Sequence, residues 1–261
     1  MLKRRPYIYL ILALSIITNA RAELPVPCGA CNGGVWVSSG NASLRSSTNS
    51  LTVDQYTERA ILNWESFNVS AGSSVNFRQP STSSVALNRI FQSDPSRILG
   101  SLNANGQVLL INPNGILFGA GAQINTHSLI ASTLGMADDV FESLGLTGAI
   151  NQDRAAFEGA SSASIDIEAG ASIESAKDGR IVIIAPEINN AGDIKSPEGQ
   201  TILAAASDKV YLEASTDPEL RGLLVEVETG GDVTNVGNNV VTERSRFVVT
   251  VFITQKLTFH L

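Results

Sequence analysis

Short apolar runs, each preceded by a glycine and a polar residue, recur through the middle of the chain. They are Gly106-Gln107-Val108-Leu109-Leu110-Ile111, Gly179-Arg180-Ile181-Val182-Ile183-Ile184 and Gly199-Gln200-Thr201-Ile202-Leu203-Ala204. An apolar run without polar alternation is typical of a strand covered on both faces, as in parallel sheets. The pattern therefore predicts buried parallel strands that begin at glycine bends.

A second pattern, an Ala-Gly pair before a short strand, alternates with the first. Its copies are Ala71-Gly72-Ser73-Ser74-Val75, Ala120-Gly121-Ala122-Gln123-Ile124, Ala169-Gly170-Ala171-Ser172-Ile173 and the shortened Ala191-Gly192-Asp193-Ile194. Gly170 precedes Gly192 by 22 residues, and Gly179 precedes Gly199 by 20. A unit of this size cannot bury its apolar face alone, whereas stacked copies can. The repeats predict an all-β parallel β-helix, with a β-sandwich of repeated turn types as the alternative.

The first residues have the order of a secretory signal. A basic start at Lys3, Arg4 and Arg5 is followed by the apolar run 7–17 and by the small-x-small site Ala20-Arg21-Ala22. We predict a signal peptide over residues 1–22, because the run is shorter than the ~20 residues of a membrane span. Cleavage of this peptide removes four basic residues and no acidic residue, so the formal charge of the chain changes from −7 to −11. Nucleic acid is therefore not an expected partner, since it needs a basic footprint.

Two cysteines, Cys28 and Cys31, follow the predicted cleavage site. In an exported protein this spacing favours a local disulfide, and a free thiol pair is the alternative. A zinc site would need two further ligands, and the only histidines, His127 and His260, lie far along the chain. The sequence predicts no metal and no cofactor.

The segment Asn112-Pro113-Asn114-Gly115-Ile116 interrupts one of the apolar runs. Asparagine at the first position can bond to the backbone two residues on, and proline at the second fixes φ for a type I turn. A tight hairpin is disfavoured because Pro113 lacks an N–H where a hairpin strand would need one. We predict a bend between successive strands of one coil.

Several further segments, in order, resemble one protein family. They are Ile61-Leu62-Asn63-Trp64-Glu65-Ser66-Phe67-Asn68-Val69, Val75-Asn76-Phe77-Arg78-Gln79-Pro80, Ala86-Leu87-Asn88-Arg89-Ile90, Asp94-Pro95-Ser96-Arg97-Ile98-Leu99-Gly100, the Asn112–Ile116 motif, Gly121-Ala122-Gln123-Ile124-Asn125 and Leu129-Ile130-Ala131-Ser132-Thr133-Leu134. Residues from about 34 to 236 resemble the N-terminal secretion domain of the two-partner secretion family, which includes filamentous haemagglutinin-like and high-molecular-weight adhesins. A second Asn-Pro-Asn-Leu motif, found in some members, is absent.

The resemblance implies a right-handed single-stranded parallel β-helix with an N-terminal cap and extra-helical strands. It implies a secreted or surface protein of a Gram-negative bacterium, exported through the periplasm and the outer membrane. The implied partner is an outer-membrane transporter, met through its periplasmic domains, and Asn112, Pro113, Asn114, Gly115 and Ile116 become a recognition signature. Host or bacterial surface receptors would bind through a missing C-terminal region.

The repeats end near Gly231–Gly237, and an apolar tail without glycine bends follows. We expect the secretion domain to span residues 23–243 and residues 244–261 to be an atypical tail from truncation or a frameshift. The alternative is an unusual C-terminal cap. A truncated, non-functional remnant of a large adhesin is the second functional hypothesis, to be tested by reading the DNA beyond the stop codon.

A carbohydrate-cleaving β-helix enzyme is the third hypothesis. Such enzymes need clustered carboxylates together with basic side chains or a bound Ca²⁺ ion in a groove. Asp166 and Glu168 can share a strand face, but only Lys177 and Arg180 lie near them in the sequence. We therefore expect a protein that is not an enzyme. Of the aromatic residues Trp64 and Phe67, at least one is expected in the core, because aromatic burial contributes strongly to stability.

Overall fold

The computed structural model describes residues 22–142, 154–214, 223–240 and 246–251. In these ranges the chain is nearly all β. The strands are β1 Val26–Pro27, β2 Val37–Ser39, β3 Ala42–Ser46, β4 Ser50–Gln55, β5 Arg59–Ser66, β6 Ser74–Arg78, β7 Val85–Ile90, β8 Ser96–Ile98, β9 Ser101–Ala104, β10 Gln107–Ile111, β11 Ile116–Phe118, β12 Gln123–Thr126, β13 Ser128–Ser132, β14 Phe157–Glu158, β15 Ser164–Ile167, β16 Ser172–Ser175, β17 Arg180–Ala185, β18 Glu187–Asn190, β19 Asp193–Lys195, β20 Gln200–Ala205, β21 Lys209–Ala214, β22 Leu223–Val227, β23 Asp232–Asn235, β24 Asn238–Val240 and β25 Arg246–Val251. A 3-10 turn spans Cys31–Gly34, and a helical turn spans 138–142.

The strands form three long sheets that run along the axis of a solenoid. Sheet A has the order β1-β5-β7-β10-β13-β17-β20-β25 with β2 also on β5, sheet B has the order β24-β19-β16-β12-β9-β6-β4-β3, and sheet C has the order β23-β18-β15-β11-β8. Each coil passes through B, then A, then C, and its strands pair in parallel with those of the next coil, as Gln107 of β10 does with Ser128 of β13. The solenoid has about six coils, which confirms the predicted parallel β-helix.

Antiparallel elements close the start of the solenoid and project from its side. β1 and β2 pair antiparallel with β5, and β3 pairs antiparallel with β4. Two excursions leave the coil path, one after β13 and one after β20, and their strands β14, β21 and β22 form a separate antiparallel sheet, sheet D. These elements correspond to the expected N-terminal cap and extra-helical strands.

Sheet A is covered on both faces, as its unbroken apolar runs predict. Val108 and Leu110 of β10 belong to the cluster inside the solenoid, whereas Leu109 and Ile111 belong to a second cluster outside it. The outer cluster is completed by apolar residues of the two excursions, namely Leu134, Met136, Val140, Phe141, Ala156, Phe157, Val210, Leu212 and Val227. Burial on both faces removes the apolar and polar alternation seen in half-exposed strands.

Two arginines of sheet A hold the helical turn of the first excursion against this outer face. Arg59 donates to the carbonyl oxygen of Glu142 at 2.5 Å, and Arg89 donates to that of Met136 at 2.6 Å. Arg89 also forms an ion pair with Asp138. Among the described residues, no helix combines the length and the hydropathy needed to cross a membrane.

The two predicted terminal boundaries are only partly within the described residues. Of the predicted signal peptide, all but Ala22 lies outside them, as do 241–245 and 252–261 of the C-terminal region. Inside the predicted tail, β25 pairs in parallel with β20, with Gln200 opposite Arg246. The boundary between residues 243 and 244 stays a prediction.

Candidate functional site

The segment Asn112–Ile116 forms the corner between β10 of sheet A and β11 of sheet C. The amide of Gly115 donates to the carbonyl oxygen of Asn112 at 3.0 Å, which closes a four-residue turn. The side-chain oxygen of Asn112 accepts the amide of Asn114 at 2.9 Å. Gly115 has φ of +105°, and a Cβ there would lie 2.9 Å from the carbonyl oxygen of Ser164. Side-chain chemistry and backbone freedom therefore both favour this bend.

The side chain of Asn112 is fully buried and ties the corner to the preceding coil. Its Nδ2 donates to Oγ of Ser96 at 3.0 Å and to the carbonyl oxygen of Asp94 at 3.2 Å. In the main chain, the amide of Ser96 donates to the carbonyl oxygen of Gly115 at 3.0 Å. Because a buried amide without partners is costly, these bonds explain why asparagine suits the position.

Further polar side chains extend this hydrogen bonding from the Asn112 corner to earlier coils along the solenoid axis. Asn114 donates to the carbonyl oxygen of Gln92 at 2.8 Å, and Oε1 of Gln92 accepts the amide of Phe67 at 2.8 Å. Nε2 of Gln92 donates to the carbonyl oxygen of Asp94 at 2.9 Å and lies 3.5 Å from Oδ1 of Asn68. We call Asn68, Gln92, Asn112 and Asn114 the corner ladder. It links three successive coils on one edge of the solenoid.

The corner ladder reaches the first described residues of the chain. Nδ2 of Asn68 donates to Oε1 of Glu23 at 2.8 Å, and Oδ1 of Asn68 accepts the amide of Arg97 at 2.8 Å. The backbone of Glu23 is held as well, because it exchanges hydrogen bonds with Ser70. The residue after the predicted cleavage site is therefore part of the folded structure.

The five signature residues do not share one environment. Asn112, Gly115 and Ile116 are buried, whereas Pro113 and Asn114 are exposed. A partner that binds the folded domain can therefore contact only the outer part of the turn. The contribution of Asn112 to the folded domain is to build the corner.

Sequence reasoning missed Asn68 and Gln92 as partners of the signature. Asn68 and Gln92 are 24 residues apart, and Gln92 and Asn114 are 22 apart. Both spacings are close to the repeat length of the coils, so polar residues at one-coil spacing were the available signal.

Aromatic packing supports the first coil below the corner ladder. Trp64 and Phe67 are both fully buried, which confirms that at least one belongs to the core. Trp64 packs edge-on against Phe67 and Trp36, with centroid distances of 5.3 and 5.8 Å. Its Nε1 donates to Oδ1 of the buried Asn88 at 2.9 Å.

The cysteines lie in the N-terminal cap. Cys28 and Cys31 are joined as a disulfide with their Cα atoms 5.2 Å apart, and the amide of Cys28 donates to the carbonyl oxygen of Asn63 at 3.0 Å. Cys28 is buried in the cap.

Removal of this bridge should have a small effect on stability. The double substitution Cys28→Ser and Cys31→Ser is expected to lower the free energy of unfolding by about 2 kcal/mol or less, because a short loop restricts the unfolded chain only slightly. Urea unfolding of the variant and of wild type, with and without reductant, measures it. A loss above about 4 kcal/mol would show that the bridge supports the cap directly.

Asp166 and Glu168, the two carboxylates considered for an enzyme, lie in a groove of about 430 Å³ on the outer face of sheet C. The other residues that line the groove are Leu117, Ile167, Asn189, Asn190, Ala191, Thr234 and Val236. Asp166 accepts hydrogen bonds from Ser164 at 2.6 Å and from Asn189 at 2.9 Å. Glu168 accepts the amide of Ala120 at 2.8 Å. Within the described ranges, no group of three or more His, Cys, Asp or Glu residues is placed to hold a metal ion.

Comparison with known proteins agrees with this geometry. Residues 34–248 match the model of the TPS secretion domain family. The crystal structure of the HMW1 secretion domain from Haemophilus influenzae superposes with a TM-score of 0.66 and 25% identity, over 82% of this chain and 56% of that one.

Two curated relatives are named heme/hemopexin-binding protein, both from Haemophilus influenzae. One, from strain Rd, is 36% identical over 123 residues, which are 47% of this chain and 14% of the relative. The other is 38% identical over 89 residues, or 34% of this chain and 10% of the relative. The matched segments thus cover a small part of either relative. By its fold, by its ordered motifs and by the family match over most of its length, the chain belongs to the TPS secretion domain family and is a secreted protein of two-partner secretion.

Proposed function

We propose that residues 23–243 form the export domain of an exoprotein and are recognised by the periplasmic domains of a partner outer-membrane transporter. The observation that carries the proposal is the match of residues 34–248 to the TPS secretion domain family, in whose fold the corner ladder fastens the Asn112 corner. In this proposal residues 1–22 act as a signal peptide and direct the chain to the periplasm. The hydrogen bonds of Glu23 to Ser70 support a mature start at that residue.

The proposed mechanism couples export to folding. The unfolded chain adds a strand to a sheet edge of the transporter's periplasmic domains. Beyond the outer membrane it folds coil on coil, since each strand pairs in parallel with its counterpart one coil earlier, as Leu203 does with Ile183. The excursions then cover the outer face of sheet A.

We further propose that the exported protein is not an enzyme and acts at surfaces as an adhesin or haemagglutinin-like protein. The groove on sheet C supports a non-enzymatic role, because Asp166 is engaged by two neighbours and Glu168 by a backbone amide. Because the two relatives are named heme/hemopexin-binding protein, hemopexin is a second candidate ligand for the longer protein, besides a cell-surface receptor. Binding of secreted protein to immobilised hemopexin and to host cells, each against an albumin surface, distinguishes the two.

Export is tested by co-expression with a candidate partner transporter of the two-partner secretion type, followed by an assay of the medium. We expect wild type in the medium only when the transporter is present. Retention of wild type in the periplasm under these conditions would contradict the export proposal.

The substitution Asn112→Ala should weaken the fold and reduce export. We expect a loss of about 2–3 kcal/mol in the free energy of unfolding, because Ser96 Oγ and Asp94 lose a buried donor and Asn114 loses its acceptor. Urea unfolding of purified protein measures it, and the secreted fraction is assayed in parallel.

The matched control is Asn125→Ala, because Asn125 is exposed and, among the described residues, its side chain makes one weak bond, of 3.4 Å, to Asn103. It should leave both readouts unchanged. A wild-type unfolding midpoint for Asn112→Ala would contradict a structural role for this side chain. A folded but unexported Asn112→Ala and Asn114→Ala double variant would show direct recognition of the signature.

A further inference from the structure

Three asparagines of the chain are followed directly by a glycine, which opens the chain at three points to the same spontaneous reaction. The pairs are Asn32-Gly33, Asn105-Gly106 and Asn114-Gly115. In such a pair the main-chain nitrogen of the glycine attacks the side-chain carbonyl carbon of the asparagine, because glycine has no Cβ to obstruct the approach. All three asparagines are exposed, so exposure of the asparagine does not distinguish the pairs.

The fold immobilises both residues of the second pair. The side-chain oxygen of Asn105 accepts the amide of Gln79 at 2.8 Å, and its Nδ2 donates to the carbonyl oxygen of Gln79 at 2.8 Å. The attacking nitrogen is engaged as well, since the amide of Gly106 donates to Oε1 of Gln79 at 3.1 Å. Gly106 is buried, and a Cβ there would lie 2.7 Å from the carbonyl oxygen of Ser84. Reaction at Asn105 therefore requires that this corner opens first.

The signature turn restrains the third pair in a similar way. Asn114 donates to the carbonyl oxygen of Gln92 at 2.8 Å, and the amide of Gly115 donates to that of Asn112 at 3.0 Å. Gly115 is also buried, with the carbonyl oxygen of Ser164 close to the place that a Cβ would take. The nitrogen of Gly115 can approach the side chain of Asn114 only after these bonds have broken.

The first pair lies in the N-terminal cap, where its surroundings are open. Asn32, Gly33 and Gly34 are all exposed, and nothing lies within 4 Å of the place that a Cβ on Gly33 would take. Within the part of the chain that the structure describes, the side chain of Asn32 makes no hydrogen bond. The main chain forms a single 3-10 turn with φ of +46° at Asn32. Hydrogen bonds in such turns have poor geometry, and a left-handed conformation is unfavourable for a residue with a Cβ. Local opening therefore costs least at this pair.

We propose that Asn32 is a site of spontaneous deamidation in the folded protein, whereas the solenoid protects Asn105 and Asn114. The nitrogen of Gly33 forms a bond to Cγ of Asn32, and the side-chain NH₂ leaves as ammonia with the amide proton of Gly33. Water then opens the resulting succinimide at either carbonyl carbon, which gives aspartate or isoaspartate. In isoaspartate the former main-chain carbonyl of Asn32, which accepts the amide of Val35 at 3.3 Å, becomes a carboxylate outside the main chain. The modified cap thus gains a negative charge and an altered turn.

The test follows the three pairs in one sample. Purified folded protein is incubated in mildly alkaline buffer, and peptide mapping by mass spectrometry measures deamidation at each asparagine over time. Asn32 should react at least about tenfold faster than Asn105 or Asn114, because the protected pairs react only from the small fraction of molecules that is locally open. In urea the three rates should agree within about threefold, since the unfolded chain offers no such protection.

The variant Asn32→Gln is the matched control, because it keeps an exposed amide but would have to close a larger and less favourable ring. On isoelectric focusing, incubated wild type should develop a more acidic band that Asn32→Gln lacks. Equal rates at the three asparagines of the folded protein would overturn the proposal. A faster rate at Asn32 that persists unchanged in urea would also overturn it, since the local sequence and not the fold would then set the rate.

Discussion

Replacement of Trp64 by alanine is expected to lower the free energy of unfolding by about 4–5 kcal/mol, the upper part of the range for buried aromatic residues. Trp64 is fully buried and lies edge-on to both Trp36 and Phe67. Its loss would open a cavity between the N-terminal cap and the first coil. It would also leave Oδ1 of the buried Asn88 without its donor, which adds a desolvation cost.

The control for this prediction is Trp64→Phe, which keeps a ring but removes the indole N–H. Its expected cost is about 1–2 kcal/mol, mainly the unpaired Asn88 oxygen. Urea unfolding followed by circular dichroism measures both variants, and Trp36, the only other tryptophan, reports on the cap by fluorescence. An unfolding midpoint for Trp64→Ala equal to that of Trp64→Phe would contradict the packing role.

Much of the fold could be predicted from the repeats, because each repeat type enters a different sheet. The glycine and polar pattern leads into β10, β17 and β20 of sheet A, and the Ala-Gly pattern leads into β6, β12, β16 and β19 of sheet B. Sheet C has no such signal. Its strands are short, and β15 and β23 each follow an excursion, the two excursions being of unequal length. No fixed spacing in the sequence therefore marks the strands of sheet C.

The candidate site was predictable as a bend but not as a contact network. Asn112, Pro113 and Gly115 satisfy local rules of turn chemistry, which operate over a few residues. The partners Asn68 and Gln92 depend on how coils are stacked, and a difference of one residue in a loop would move their side chains away. Asn112 thus has two roles in the sequence, since it shapes its own turn and fastens the coil before it.

The substitution Gly199→Ala tests whether the glycine bends set the spacing of the coils. A Cβ on Gly199 would lie 1.9 Å from the carbonyl oxygen of Gly179, and one on Gly179 would lie 1.9 Å from that of His127. Because the obstructing atoms belong to the backbone, they cannot turn aside as a flexible side chain would. Glycine is therefore required at these two positions for close approach of neighbouring coils.

We expect Gly199→Ala to lower the free energy of unfolding by about 3 kcal/mol, at the upper end of overpacking costs, because the coils must separate where Arg180 pairs with Gln200. Gly29→Ala is the matched control, since nothing lies within 4 Å of a Cβ there. Urea unfolding should leave the Gly29 variant near wild type. Hydrogen exchange should show faster exchange in β17 and β20 of the Gly199 variant, since local opening follows weakened pairing. Equal stability of the two variants would mean that coil spacing is set by side-chain packing, and the glycine pattern would then mark only turn positions.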